Sequence, residues 1–181
     1  MTTEGFPVVL LVGGTGARMG AEAGGIPKPL VDVGGHPILW HVMKLYAHYG
    51  HTRFIFPLGH KGEAFRRYFM EYEALTHDVS CTIGCPDQRL SHNPGDEGEW
   101  HVTLFDAGLV TEKGARVRQA AERMEAQSFF VTYGDGIGDI ALTALLDFHR
   151  SHGKLATLTG FRPFSQYGVV DVDEDGRVRH L

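Results

Sequence analysis

The chain's chemistry is concentrated in a few short segments. Gly13-Gly14-Thr15-Gly16-Ala17-Arg18-Met19-Gly20 lets backbone come close to an anion and aims several N–H groups at it. It also carries a cation, Arg18. Ten residues on, Lys28 stands between Pro27 and Pro29, whose rings stiffen the backbone that bears it. A rigidly held cation beside an N–H-lined loop suits a polyphosphate. The spacing is not the dinucleotide fingerprint, because Met19 occupies the place of the third glycine and no acid closes the second strand. It is not a Walker A loop either, since no Gly-Lys-Ser/Thr follows. Glycines alone would suit an ordinary tight turn. Arg18 and the proline-framed Lys28 favour phosphate.

Asp135 and Asp139 lie among glycines at the far end of a later apolar run. Carboxylates there suit Mg²⁺, a hard cation usually held by one or two carboxylates plus substrate phosphates. Spacing alone leaves ordinary turn acids equally open. Other signals point to structure. His48/His51 and His149/His152 sit near helix ends without a partner set for zinc, so capping or packing is expected. Trp40 and Tyr46 read as core, and Arg66-Arg67 as a solvated helix face. Cys81 and Cys85 have no second pair.

These loops need elements to hold them. Residues 7–12 form a short apolar run closed by Gly13-Gly14, which predicts a strand buried on both faces. A tight Gly34-Gly35 turn follows residues 31–33. Pro37 opens a helix to Tyr49, and Gly50 stops it. The pattern then predicts strands at 53–58, 79–83, 102–105 and 129–133 and helices at 63–72, 115–125 and 140–152. Residues 155–161 are β-rich, and 84–99 are expected to be the least structured. Strands alternating with helices argue for an α/β domain with a mostly parallel, doubly wound, Rossmann-like sheet, read as one domain over 1–181. In such sheets ligands bind at the carboxyl ends of the strands, where 13–28, 59–62 and 134–139 fall. Residues 167–172 and 177–181 flank Asp175-Gly176 as a hairpin. Its second strand has barely begun at Leu181, so the sequence reads as the front of a longer protein.

Composition narrows the classes. The 181 residues are 43% hydrophobic, enough for a core, and no run approaches the roughly 20 apolar residues of a membrane span. Net charge is −5, so nucleic acid finds no broad basic field and a polyanion needs a local cluster. Two cysteines and no signal-peptide pattern fit a reducing cytoplasm.

Together the loops resemble the sugar-1-phosphate nucleotidylyltransferases, and most closely the glucose-1-phosphate cytidylyltransferases. The resemblance rests on Gly13 to Met19, Pro27-Lys28-Pro29, the stretch from Gly34-Gly35-His36-Pro37 to Lys44, and Gly59-His60-Lys61-Gly62. It continues through WHVTLFDAG at 100–108, Gly114-Ala115-Arg116 and Thr132-Tyr133-Gly134-Asp135-Gly136, so it covers nearly the whole chain. WHVTLFDAG is similar to the cytidylyl branch, and the P-x-G-L-A-Q type segment of thymidylyl and uridylyl relatives does not occur. Ala17 replaces the family's usual threonine. The family's later E-K-P lysine, sugar loop and second metal aspartate have no counterpart before Leu181.

The resemblance implies a fold of the nucleotide-diphospho-sugar transferase type and in-line attack of a sugar 1-phosphate on the α-phosphorus of CTP, with Mg²⁺ as cofactor. It implies that Arg18 holds the β/γ-phosphates, Lys28 neutralises the α-phosphate and Asp135 ligates the metal. Backbone at Gly13, Gly14 and Gly16 would cradle the nucleotide, with further contacts from Val12, Ala17, Thr103 and Arg116. Glucose 1-phosphate and a homo-oligomer are likewise expectations of the family. Three alternatives stay open: a dTDP-, UDP- or GDP-sugar synthase, a nucleotide-binding module inactive without further chain, and, more distantly, a nicotinamide dehydrogenase.

Overall fold

The computed structural model describes residues 5–13, 25–83, 85–92, 97, 99–161, 170–175 and 177–180. They fall into two compact units, Met1–Ile140 and Ala141–Leu181. The first is built on a four-stranded, all-parallel sheet: β1 (Val8–Leu11), β4 (Arg53–Leu58), β7 (His101–Asp106) and β8 (Phe130–Tyr133), in the order β7-β4-β1-β8. The apolar run VVLL has no polar side because β1 is covered on both faces.

One face packs under α1 (Ile38–His48), which buries Leu39, Val42, Met43 and Tyr46. The other packs under α4 (Lys113–Ala121), whose Ala120 joins Val9 and Ile55 in a second core cluster. Gly50 ends α1 as the sequence predicts, at φ 84° with its N–H donated to the Ala47 carbonyl. Between β1 and α1 lie a 3₁₀ turn (Lys28–Leu30) and the hairpin β2 (Asp32–Val33) and β3 (His36–Pro37). Both hairpin turn residues, Gly34 and Gly35, have positive φ (67° and 93°), which explains the glycine pair.

Three expectations of secondary structure are corrected. The helix expected over 63–72 is two, α2 (Gly62–Met70) and α3 (Tyr72–Thr76). The break falls beside Tyr72, whose hydroxyl accepts from Trp40 Nε1 at 2.8 Å and donates to Glu97 Oε1 at 2.7 Å. Trp40 is accordingly not core: it is half-buried, stacked on His36 at 4.0 Å and 6.1 Å from Trp100. The second correction concerns 84–99. β5 (Asp78–Thr82) pairs antiparallel with β6 (Cys85–His92) in a separate hairpin. The sequence CPDQRLSH has little β character, so backbone pairing to a neighbour, not side-chain pattern, makes it a strand.

The second unit holds α5 (Leu142–His152) and a small antiparallel hairpin, β9 (Asp171–Val172) with β10 (Val178–His180). The third correction lies here. Residues 155–161 make no strand among the described residues, and Leu155, Leu158 and Phe161 are exposed. A β-rich stretch becomes a strand only where a partner meets its N–H and C=O groups. The histidines act as expected of helix ends. His149 Nδ1 and His152 Nε2 each lie 2.8 Å from Thr157 Oγ1, and the Lys154 N–H donates to His152 Nδ1. In the first unit His51 is buried and its Nδ1 accepts the Phe6 N–H at 3.1 Å. Arg66 and Arg67 are exposed on α2.

Candidate active site

Because β1, β4, β7 and β8 are parallel, their carboxyl ends share one edge. Gly13 follows β1, Gly59 follows β4, Ala107 follows β7 and Gly134-Asp135 follow β8. The structure brings Lys28 to this edge as well. Its Nζ lies 3.2 Å from Asp135 Oδ2, with both side chains partly exposed. Opposite charges in open contact at a sheet's ligand-binding edge are available for exchange with solutes.

Glycine 134 explains how the two are brought together. A Cβ there would lie 2.6 Å from Val12 Cγ1, 3.2 Å from Leu39 Cδ1 and 3.4 Å from Pro29 Cβ. The backbone before Asp135 thus nests against the proline that follows Lys28. Both flanks are buried while the charged tips reach outward. The turn carrying Lys28 is itself fixed: Leu30 N–H donates to the Pro27 carbonyl at 2.8 Å, and Val31 N–H to the Lys28 carbonyl at 3.1 Å.

Arg116 is the second organiser of this edge. It is only 4% exposed. Nε donates to the Thr111 carbonyl (2.8 Å), Nη1 to those of Pro57 (3.1 Å) and Leu58 (2.9 Å), and Nη2 to those of Gly108 (2.7 Å) and Leu109 (3.4 Å). All five donors of the guanidinium fork are engaged. The group ties the end of β4 to the loop after β7. It also accounts for two glycines that read as ligand-loop residues. A Cβ at Gly13 would stand 2.7 Å from Arg116 Nη1, and one at Gly59 2.4 Å from Nη2. A direct side-chain contact from Arg116 to nucleotide is thus not what the geometry offers; it is built as a strut. Thr103 is also apart. It lies in the middle of the edge strand β7, paired with Ile55, three residues short of the strand's end. That is about 10 Å at strand rise.

Val12 is buried and touches the Gly134 position from β1's end, so its backbone is at the edge. Asp139 is exposed and enters no ion pair among the described residues. Gly14, Gly16, Ala17 and Arg18 lie outside the described residues. Among the described residues no three His, Cys, Asp or Glu are grouped to hold a metal ion. The donor set nonetheless fits Mg²⁺, which takes one or two carboxylates and completes its shell with water and phosphate oxygens. Asp135 supplies such a carboxylate.

Sequence reasoning assigned no role to Lys61, although it quoted the loop that contains it. Lys61 precedes α2 with φ 56° and ψ 29°, a left-handed conformation that costs a side-chain-bearing residue about 1–2 kcal/mol. Its ammonium donates to the Gly25 carbonyl. Nothing in a linear motif reports a bond across 36 positions. Lys113 over the Tyr133 ring, 5.3 Å from its centroid, is a further edge cation that only tertiary contact reveals.

Comparison with known proteins identifies the family and the fold. The nucleotidyl transferase family model matches residues 7–181. The chain is similar to a probable glucose-1-phosphate cytidylyltransferase of Bacillus subtilis, 38% identical over 171 residues, covering 94% of this chain and 66% of the relative. It is 40% identical to glucose-1-phosphate cytidylyltransferase of Salmonella typhi, with the same coverage. A probable mannose-1-phosphate guanylyltransferase of Oryza sativa is 28% identical, covering 92% of this chain and 42% of that one. The chain therefore spans slightly less than two thirds of the cytidylyltransferases. HddC of Yersinia pseudotuberculosis complexed with GMP-PN shares the fold, with a TM-score of 0.57 at 21% identity, covering 96% of this chain and 67% of that one. No described helix is long and apolar enough to cross a membrane. With its parallel sheet, its cation and carboxylate at the carboxyl edge and a family match over almost its whole length, the chain belongs to the nucleotidyl transferase family.

Proposed function

We propose that the protein transfers the cytidylyl group of CTP to a sugar 1-phosphate, giving a CDP-sugar and pyrophosphate. The observation that carries the reading is Lys28 beside Asp135 at the carboxyl edge of the parallel sheet. The choice of CTP is supported by relatives at 38–40% identity named as cytidylyltransferases, against 28% for a guanylyltransferase. Glucose 1-phosphate is the sugar those names suggest.

The chemistry asks for positioning and charge neutralisation more than for covalent participation. A phosphate oxygen of the sugar attacks the α-phosphorus of CTP. A new P–O bond forms as the bond to the bridging oxygen breaks, and pyrophosphate leaves with the electron pair. Lys28 meets the negative charge that accumulates on the α-phosphate. Asp135 would hold Mg²⁺, which would supply neutralisation of phosphate charge there. On sequence grounds, Arg18 would steady the departing pyrophosphate, and the glycine-rich run from Gly13 would offer backbone N–H groups to the nucleotide. Arg116 acts indirectly, by fixing the edge that these groups occupy. Homo-oligomeric assembly and a cytoplasmic location complete the reading.

Pyrophosphate release from glucose 1-phosphate and Mg²⁺, run with CTP, dTTP, UTP, ATP and GTP in parallel, tests it. Release with CTP alone is expected. Release with another nucleotide would keep the reaction and overturn the base. Mg²⁺-dependent CTP binding without release would make these residues a nucleotide-binding module that needs further chain.

A further inference from the structure

We propose that Lys61 is a positioning residue for Lys28, a latch that fixes the near end of the segment on which Lys28 is mounted. The inference rests on the transfer reaction above only for its kinetic consequence; the latch itself is a statement about structure. Lys61 donates its ammonium to the carbonyl of Gly25, three residues before Lys28. Between them stands Pro27, and Pro29 follows, so the short run from Gly25 to Leu30 has little torsional freedom. Its far end is pinned by the Ile38 N–H, donated to the Val31 carbonyl at 3.0 Å. A stiff segment held at both ends delivers Lys28 to one place. Released at Gly25, the residues before Pro29 loosen while the contact of Pro29 with Gly134 holds, and the Lys28 ammonium is no longer confined to one place beside Asp135.

The backbone at the latch supports this reading. Position 61 is the only described non-glycine residue with positive φ, and the turn into α2 would suit glycine or asparagine better. Gly25, the acceptor, is left-handed too, at φ 82°, and its missing Cβ would have stood 4.0 Å from Lys61 Nζ. Two left-handed residues meet at one hydrogen bond, and the steric cost falls on Lys61 alone, since glycine adopts positive φ freely. Both residues are exposed, so no core burial demands the arrangement and substitutions at 61 should fold.

The test uses Lys61→Met, which keeps the aliphatic stem and removes the ammonium, with Lys61→Gly and Lys61→Arg beside it. Amide hydrogen exchange at Leu30 and Val31, whose N–H groups close the Lys28 turn, reads the latch without reference to turnover. Lys61→Met and Lys61→Gly should speed that exchange roughly tenfold, with the thermal midpoint of Lys61→Gly no lower than wild type. Lys61→Arg should restore protection. In the pyrophosphate assay the first two should lose kcat about tenfold at nearly constant KM for nucleotide. Unchanged exchange at Leu30 and Val31 overturns the proposal whatever the kinetics. Unchanged exchange with a raised nucleotide KM would make Lys61 a substrate contact instead. Faster exchange in a protein that turns over no nucleotide would sustain the latch and sink the transfer reading.

Discussion

Two cations stand at the same sheet edge and live in opposite environments. Arg116 is buried, and its five N–H donors meet five backbone carbonyls; Lys28 is half-exposed and faces one carboxylate. A planar fork with fixed donor directions can staple several loop carbonyls at once. An ammonium on a flexible stem, left in contact with solvent, can exchange a carboxylate for a phosphate. Equal charge thus serves architecture at one position and chemistry at the other, and geometry decides which.

The comparison can be broken from either side. Arg116→Met should be the most damaging change, costing about 4–5 kcal/mol of stability because buried carbonyls lose their donors. Urea unfolding measures it, and a midpoint within error of wild type would mean the edge does not depend on the strut. Lys28→Ala should cut turnover by on the order of 10²–10³, the usual cost of one preorganised transition-state contact. Its urea midpoint should barely move; a large stability loss with normal turnover would exchange the two roles. Gly59→Ala sharpens the contrast by pushing a methyl into the guanidinium. About 1–3 kcal/mol is expected from overpacking, relieved when Arg116 is already Met. Additive losses in that double mutant would deny the contact.

The smallest effect concerns pH. Burial lowers the pKa of His51 below the ordinary 6.5, while its Nδ1 accepts the Phe6 N–H. Below about 6.5 the unfolded chain therefore binds a proton that the folded one resists, so stability falls with acidification until the folded imidazole protonates, and is fully present above that window. His51→Gln should flatten the slope between pH 6.5 and the lower folded value. An unchanged slope would place the acid sensitivity elsewhere.

Much of the frame was legible because it rests on local signals. A short apolar run closed by glycine predicted β1, β4 and β8 almost to the residue, and Gly50 and the Gly34-Gly35 pair marked their turns. Lys28 and Asp135 were legible through proline and glycine neighbours, whose function is local stiffness and close approach. Arg116 was visible as a residue but not as a strut, since its five carbonyls come from segments separated by up to 59 positions. Gly13 and Gly59 likewise read as ligand-loop glycines, and only the guanidinium lying against them gave a steric reason for their size. β6 and the exposed stretch 155–161 failed in opposite directions, because pairing requires a neighbour and composition cannot supply one.

The sequence by itself therefore determined the order of the four sheet strands, the glycine-closed turns at Gly34-Gly35 and Gly50, and Lys28 and Asp135 as candidates for the carboxyl edge. Periodicity, glycine φ and proline stiffness act over a few residues and leave their mark in linear order. Tertiary structure alone decided which cation is buried and which is exposed, that Lys28 meets Asp135, and that Lys61 reaches Gly25. Those outcomes depend on distances between segments remote in the chain, which parallel strand pairing fixes and no local spacing encodes.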